Sequence, residues 1–213
     1  MLQIKIRENV TAKDKRQSLV LYFLLSLIAV ISLALTYVTT VSVRQESAVR
    51  PASSERSGEN QNKAVQQAVL QWMKENSRMP EHVLAKIYSV AMGSVNADLI
   101  LAICLVESNF NPHVESGKGA VGLMGIMPDV WLEELKAHGI ASGKEDLFTI
   151  STNIDAGVYV LEKYLDKTDN LKDALSRYAG GDPSYATRVL QMVRKITLTR
   201  RSQQQLSIAA VHA

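Results

Sequence analysis

Cysteine is almost missing from this chain: Cys104 is the only one in 213 residues. That excludes an internal disulfide framework and any cysteine-based zinc cluster. Cys104 lies among Leu101, Ile103 and Leu105, so it reads as a small core residue rather than a reactive thiol. Histidine is sparse as well, at four residues, and no HExxH spacing links them, so no metal site and no cofactor is expected. Neither sign of charge dominates: 24 Lys and Arg against 21 Asp and Glu leave a net +3, with a pI near 8.9. A bias that weak does not argue for nucleic acid, and it suits an anionic polymer or a membrane surface equally. Period-2 alternation with paired turns is absent, and so is any internal repeat. The expected fold is therefore mainly α, with little or no sheet.

One long hydrophobic run is present. Ser18 to Val43 holds no charged residue, and Leu19 to Val38 is almost continuously apolar. About 20 such residues at roughly 1.5 Å each span a hydrocarbon core of about 30 Å. Lys5, Arg7, Lys13, Lys15 and Arg16 precede the run, and Arg44, Arg50 and Arg56 follow it. The positive-inside bias favours a cytoplasmic segment over 1–17 and a single transmembrane signal-anchor over 18–43 in the inner membrane. A cleaved signal peptide is the competing reading, although this run is longer than a signal core and lacks a clear small-x-small site. Residues 44–63 combine Pro51, paired serines and Gly58 with little to bury, as a flexible linker does. A catalytic domain is expected over 64–199, on the outer (periplasmic) side, and a tail over 200–213 that either extends the last helix or frays.

Helical spacing begins at Ala64. Val65, Ala68, Val69, Trp72 and Met73 fall on one face. A second helix is expected from about Pro80 through Val83, Ile87 and Val90. A third follows Asn96, an apt N-cap, with Asp98 in its first turn, and it must end before Pro112. Further helices are predicted at Pro128–His138, Ile154–Lys167, Leu171–Tyr178 and Tyr185–Ile196.

The third helix ends on the residue of greatest chemical interest. Glu107 follows the apolar or small residues Ala102 to Val106 and shares a face with Ile100, Ile103 and Cys104. A glutamate on a helix is ordinarily a solvated charge. Beside an apolar face, however, an unpaired carboxylate is costly, so a raised pKa or a partner is expected, and the group becomes a candidate general acid. Ser108, next to it, suits either a substrate hydrogen bond or a cap on the helix end. Gly117-Lys-Gly-Ala-Val-Gly122 has the glycine spacing of a dinucleotide fingerprint, but it follows a helix and a proline rather than a strand. These glycines instead allow a backbone loop to approach a ligand closely. Met124 and Met127 in that loop suit core filling or site lining alike.

Taken together, these residues resemble the soluble lytic transglycosylase domain family, which has a lysozyme-like fold. The resemblance rests on Glu107-Ser108 followed by Phe110-Asn111-Pro112. It continues through Gly119-Ala120-Val121-Gly122-Leu123-Met124-Gly125-Ile126-Met127-Pro128. Asn153-Ile154 with Gly157 is similar to the family's Asn-Ile-x-x-Gly helix start. Arg177-Tyr178-Ala179-Gly180-Gly181 takes the place of Ala-Tyr-Asn-Ala-Gly, and Tyr185 with Val189 that of a closing Tyr-x-x-x-Val. The resemblance covers roughly 80–195. It implies a lysozyme-like helical domain with Glu107 as the sole catalytic acid and base. Ser108, Met124 and Met127 would contact the sugar chain, and Tyr178 would orient Glu107 through its hydroxyl. Two positions depart from the family pattern: Gly125 stands for glutamine and Ala179 for asparagine. Each loses an amide whose hydrogen bond is typically worth about 1 kcal/mol, so a weakened subsite is expected, with affinity restored by glutamine at 125.

Most glycosidases use two carboxylates, and only Glu107 is well placed here. Glu115, Asp129 and Asp155 fall in loops or at helix starts. One carboxylate suffices when the substrate supplies the nucleophile, which is the reaction that the resemblance implies on peptidoglycan glycan strands, ending in 1,6-anhydro-muramic acid. A lysozyme-like hydrolase and a glycan-binding pseudoenzyme or scaffold are the alternatives. The small size and lack of a separate wall-binding module fit a locally tethered role, with a secretion or conjugation machine as a conceivable partner.

Overall fold

The computed structural model describes residues 52–211, with side chains over 58–210. Seven α-helices form its frame: α1 (Ala52–Glu75), α2 (Glu81–Ala91), α3 (Ala97–Ser108), α4 (Pro128–Ala137), α5 (Ile150–Leu165), α6 (Leu171–Tyr178) and α7 (Pro183–Val211). A 3₁₀ turn, Lys144–Phe148, precedes α5. Among the described residues the only strand-like pairing is two isolated bridges, Glu115 to Val121 and Val121 to Ile126. The mainly α expectation holds.

The fold is organised around α3. Every residue from Leu99 to Cys104 is buried, and so is Leu105. A helix that is apolar on all sides must be enclosed by others. It lies along α7 and against α2, while α5 packs on α2 and α6, and α6 on α7. The partners contribute matching stripes: Leu84, Ile87, Tyr88 and Ala91 from α2, Ile154, Val160 and Leu161 from α5, and Ala186, Val189 and Ile196 from α7. These join in one core, in which each fully buried Leu, Ile or Val contributes about 1.5–3 kcal/mol.

Helix ends depart from expectation in instructive ways. Asn96 occupies the cap position of α3, but its side chain makes no capping bond. Asp98, in the first turn, instead accepts from Arg200 Nε at 2.6 Å and from Thr197 Oγ1 at 2.9 Å. That tie fastens the start of α3 to α7. Helix α7 therefore runs through the boundary expected at 199 and continues to Val211. No proline or glycine follows Pro183 to stop it. Similarly, the linker expected over 44–63 is helical from Ala52 onward, supported by an exposed Glu59–Lys63 pair one turn apart. The expected transmembrane run over 18–43 lies outside the described residues, among which no helix is long and apolar enough to cross a membrane.

The end of α3 positions the site. Asn109 (φ 50°) and Phe110 (φ 62°) both take the left-handed conformation. For a bulky residue such as Phe110 that costs on the order of 1–2 kcal/mol. Complete burial of the Phe110 ring offsets it. The chain thus turns sharply as soon as Glu107 and Ser108 are placed.

Candidate active site

Glu107 sits in the last turn of α3, partly exposed. Its carboxyl meets the backbone of Gly125 in the loop joining α3 to α4, so closely that a Cβ at 125 would lie 2.7 Å from Oε2. Burial pushes the Glu107 pKa above the ordinary glutamate value, while the Tyr185 hydroxyl and the Arg188 charge draw it back in part. The carboxyl is therefore biased toward its protonated form, the state a general acid requires.

Two tyrosines of different helices flank the site. The expectation that Tyr178 orients Glu107 is corrected: its hydroxyl donates to the backbone carbonyl of Met124 at 2.7 Å. Having one proton to give, it holds the loop rather than the acid. Tyr185, fully enclosed on α7, takes the place beside Glu107. Its hydroxyl closes no hydrogen bond of good geometry, yet it lies near enough to the carboxyl to favour the ionised acid. Both influences push the Tyr185 pKa up: burial first, then the Glu107 charge. The two rings stack with centroids 6.3 Å apart and planes 17° from parallel. Tyr164 and Trp131 extend the row edge to face, at 6.4 and 5.7 Å. The Arg188 guanidinium lies over the Tyr185 ring, 5.6 Å from its centroid, and is held by Asp182 and the Ser184 hydroxyl.

The glycine loop is built from within by Asn153. This fully buried side chain accepts from the Met124 amide at 2.8 Å and donates to the carbonyls of Val121 and Leu147 at 3.1 and 2.6 Å. A Cβ at Gly122 (φ 75°) would overlap that amide group, so the loop can pass Asn153 only with glycine there. Gly157 serves similarly, making room for the Met124 side chain.

Two expected sugar contacts change role as a result. Met124 is completely buried over Gly157 and belongs to the core. Ser108 is buried too, its hydroxyl lying 2.7 Å from the Cys104 carbonyl and 2.9 Å from that of Leu123. It latches the helix end to the loop instead of facing solvent. Met127 remains partly exposed at the cap position of α4, in extended conformation. Of the other carboxylates, Glu115 pairs with Lys144 at 2.8 Å, and Asp129 and Asp155 are exposed on helix faces. Tyr185, Arg188 and Asn153 were not singled out as site residues from sequence. The closing Tyr-x-x-x-Val pattern was the one signal that pointed at Tyr185.

The site is a half-buried acid on a core helix, set against a glycine loop. The family model described as the transglycosylase SLT domain matches residues 86–195, just over half of the chain. The chain belongs to that family. Among curated relatives, it is 39% identical over 85 residues to membrane-bound lytic murein transglycosylase C of Histophilus somni (strain 2336), covering 36% of this chain and 23% of that protein. It is 31% identical over 91 residues to a transglycosylase of Enterobacteria phage PRD1, covering 43% of this chain and 31% of the phage protein. The chain thus spans less than a third of the length of these relatives. A solved structure, the 70 kDa soluble lytic transglycosylase of Escherichia coli, is 25% identical over 55% of this chain and 22% of its own, with a TM-score of 0.39.

Proposed function

We propose that this chain is a membrane-anchored peptidoglycan lytic transglycosylase acting on the outer side of the inner membrane. The observation that carries the reading is the Glu107 carboxyl, pressed against the Gly125 loop with its pKa raised by burial. Family membership and the names of the relatives support the substrate class. The uncharged run over 18–43 supports the anchor.

In this reading the protonated Glu107 donates its proton to the glycosidic oxygen between N-acetylmuramic acid and N-acetylglucosamine. The C1–O bond breaks, and the N-acetyl group assists the cationic centre. Now ionised, Glu107 accepts the proton of the muramic C6 hydroxyl, whose oxygen closes onto C1 to give the 1,6-anhydro end. The acid is regenerated for the next cycle. An attacker within the same sugar reaches effective molarities on the order of 10⁵ M or more, so no second carboxylate is needed to activate water. Tyr185 and Arg188 favour the ionised acid of the second half-reaction, and burial favours the protonated acid of the first.

Mass spectrometry of a sacculus digest tests this. Anhydro-muropeptides are the expected product. Reducing ends would make the protein a hydrolase. Pull-down on sacculi without soluble product would make it a glycan-binding scaffold, a reading motivated by the family amides missing at Gly125 and Ala179.

A further inference from the structure

At Gly125 the resemblance calls for glutamine, and the glycine reads at first as a lost amide. The geometry points to a different role: Gly125 is a positioning residue whose missing side chain leaves the space that the Glu107 carboxyl occupies. This deepens the proposed reaction and rests on Glu107 being its acid.

Two observations carry it. A Cβ at 125 would stand 2.7 Å from Glu107 Oε2, nearer than side-chain carbons come, and 3.1 Å from Cδ, a tight contact. Residue 125 also has φ 63°, a conformation that side chains other than glycine's take up only under strain. The loop cannot readily swing away to admit a side chain. The Met124 amide is pinned by Asn153 and the Met124 carbonyl by Tyr178. Val121 and Ile126 pair backbone to backbone on either side, at 2.8 and 3.0 Å. With the loop fixed, the flexible partner is the Glu107 carboxyl, and any side chain at 125 displaces it.

The direction of the consequence follows from what surrounds Glu107. Tyr178 of α6, Tyr185 and Arg188 of α7 and Cys104 of its own helix face it; the loop over 119–127 holds no titratable side chain. A carboxyl pushed off the loop moves toward Tyr185 and Arg188 or toward solvent. Each move favours the ionised form, so the acid loses its proton at lower pH. Glutamine at 125 is then harmful, opposite to the expectation from the family pattern.

The test compares Gly125→Ala with Gly119→Ala in the full chain. Gly119 also has positive φ, at 84°, but nothing lies within 4 Å of the Cβ it would gain. It therefore reports backbone strain alone. The Glu107 carboxyl is titrated by ¹³C NMR, its signal assigned by its loss in Glu107→Gln. Gly125→Ala is expected to lower the Glu107 pKa and to move the alkaline limb of sacculus cleavage to lower pH. Its kcat should fall roughly 10- to 100-fold at neutral pH, as misplacement of a reacting group by about an ångström does. Gly119→Ala should leave the Glu107 titration unchanged. An unchanged titration in Gly125→Ala, or equal shifts in both variants, overturns the inference. Because the NMR readout needs no turnover, a shift confined to Gly125→Ala supports the positioning role even if no variant, nor the wild type, cleaves sacculi; that outcome would instead remove the proposed reaction.

Discussion

Replacing Asn153 by alanine tests how the loop that carries Gly125 is held. The side chain is 1% exposed and makes three hydrogen bonds, to the Met124 amide and to the carbonyls of Val121 and Leu147. Each is worth about 1 kcal/mol net, and groups left unpaired inside the fold cost more. Asn153→Ala leaves a buried N–H and two carbonyls without this partner. The expected loss is roughly 3–5 kcal/mol, a large part of the 5–15 kcal/mol that stabilises a typical domain. Urea unfolding measures it as a lower midpoint at unchanged slope. Asn153→Asp should do no better, since it keeps the acceptor for Met124 but turns oxygen toward two carbonyls. A loss below about 1 kcal/mol in Asn153→Ala, with full activity, would refute the view that this amide organises the loop.

Four further outcomes follow from the same geometry. Glu107 has a folded-state pKa above its unfolded value, so its contribution to stability is fully present below the ordinary glutamate pKa and is lost as pH rises through the raised one. Glu107→Gln should therefore melt higher than wild type at neutral pH, with the difference closing on acidification; thermal melts across pH check this. Tyr178→Phe removes the bond to the Met124 carbonyl and should cost about 1 kcal/mol of stability. Tyr185→Phe removes a hydroxyl that closes no bond, leaves stability nearly unchanged and raises the Glu107 pKa, as paired denaturation and carboxyl titration would show. Ending the chain after Thr199 strips Arg200 from the largely buried Asp98 and should cost about 2 kcal/mol, whereas ending it after Ser202 should cost far less, both read by urea unfolding.

Much of the fold is legible in the sequence because helical period and burial are local signals. The apolar stripe from Ile100 to Leu105 announces a core helix, and Leu171–Tyr178 is bounded as expected, with the Asn170 side chain capping it. Helix lengths are less legible where nothing punctuates them. Helix α7 runs past 199 because no breaker stops it and because Arg200 finds Asp98, a partner 102 positions away. At the site, Glu107 declares itself by its position beside an apolar face. The tyrosine beside it does not, since Tyr178 and Tyr185 lie on separate helices and only their three-dimensional reach decides which hydroxyl lies near the acid. Ser108 and Met124 look like substrate contacts until the loop folds over them. A glycine that makes room for a carboxyl likewise leaves no trace in sequence beyond its departure from pattern, and needs a distance to be read.

The central claim is that a single acid carries the chemistry. The most direct measurement is release of soluble muropeptides from purified sacculi by the full chain and by Glu107→Gln, with folding of the variant verified by its melting curve. Wild type should release anhydro-muropeptides and the folded variant none. Product from the variant at the wild-type rate would contradict the account.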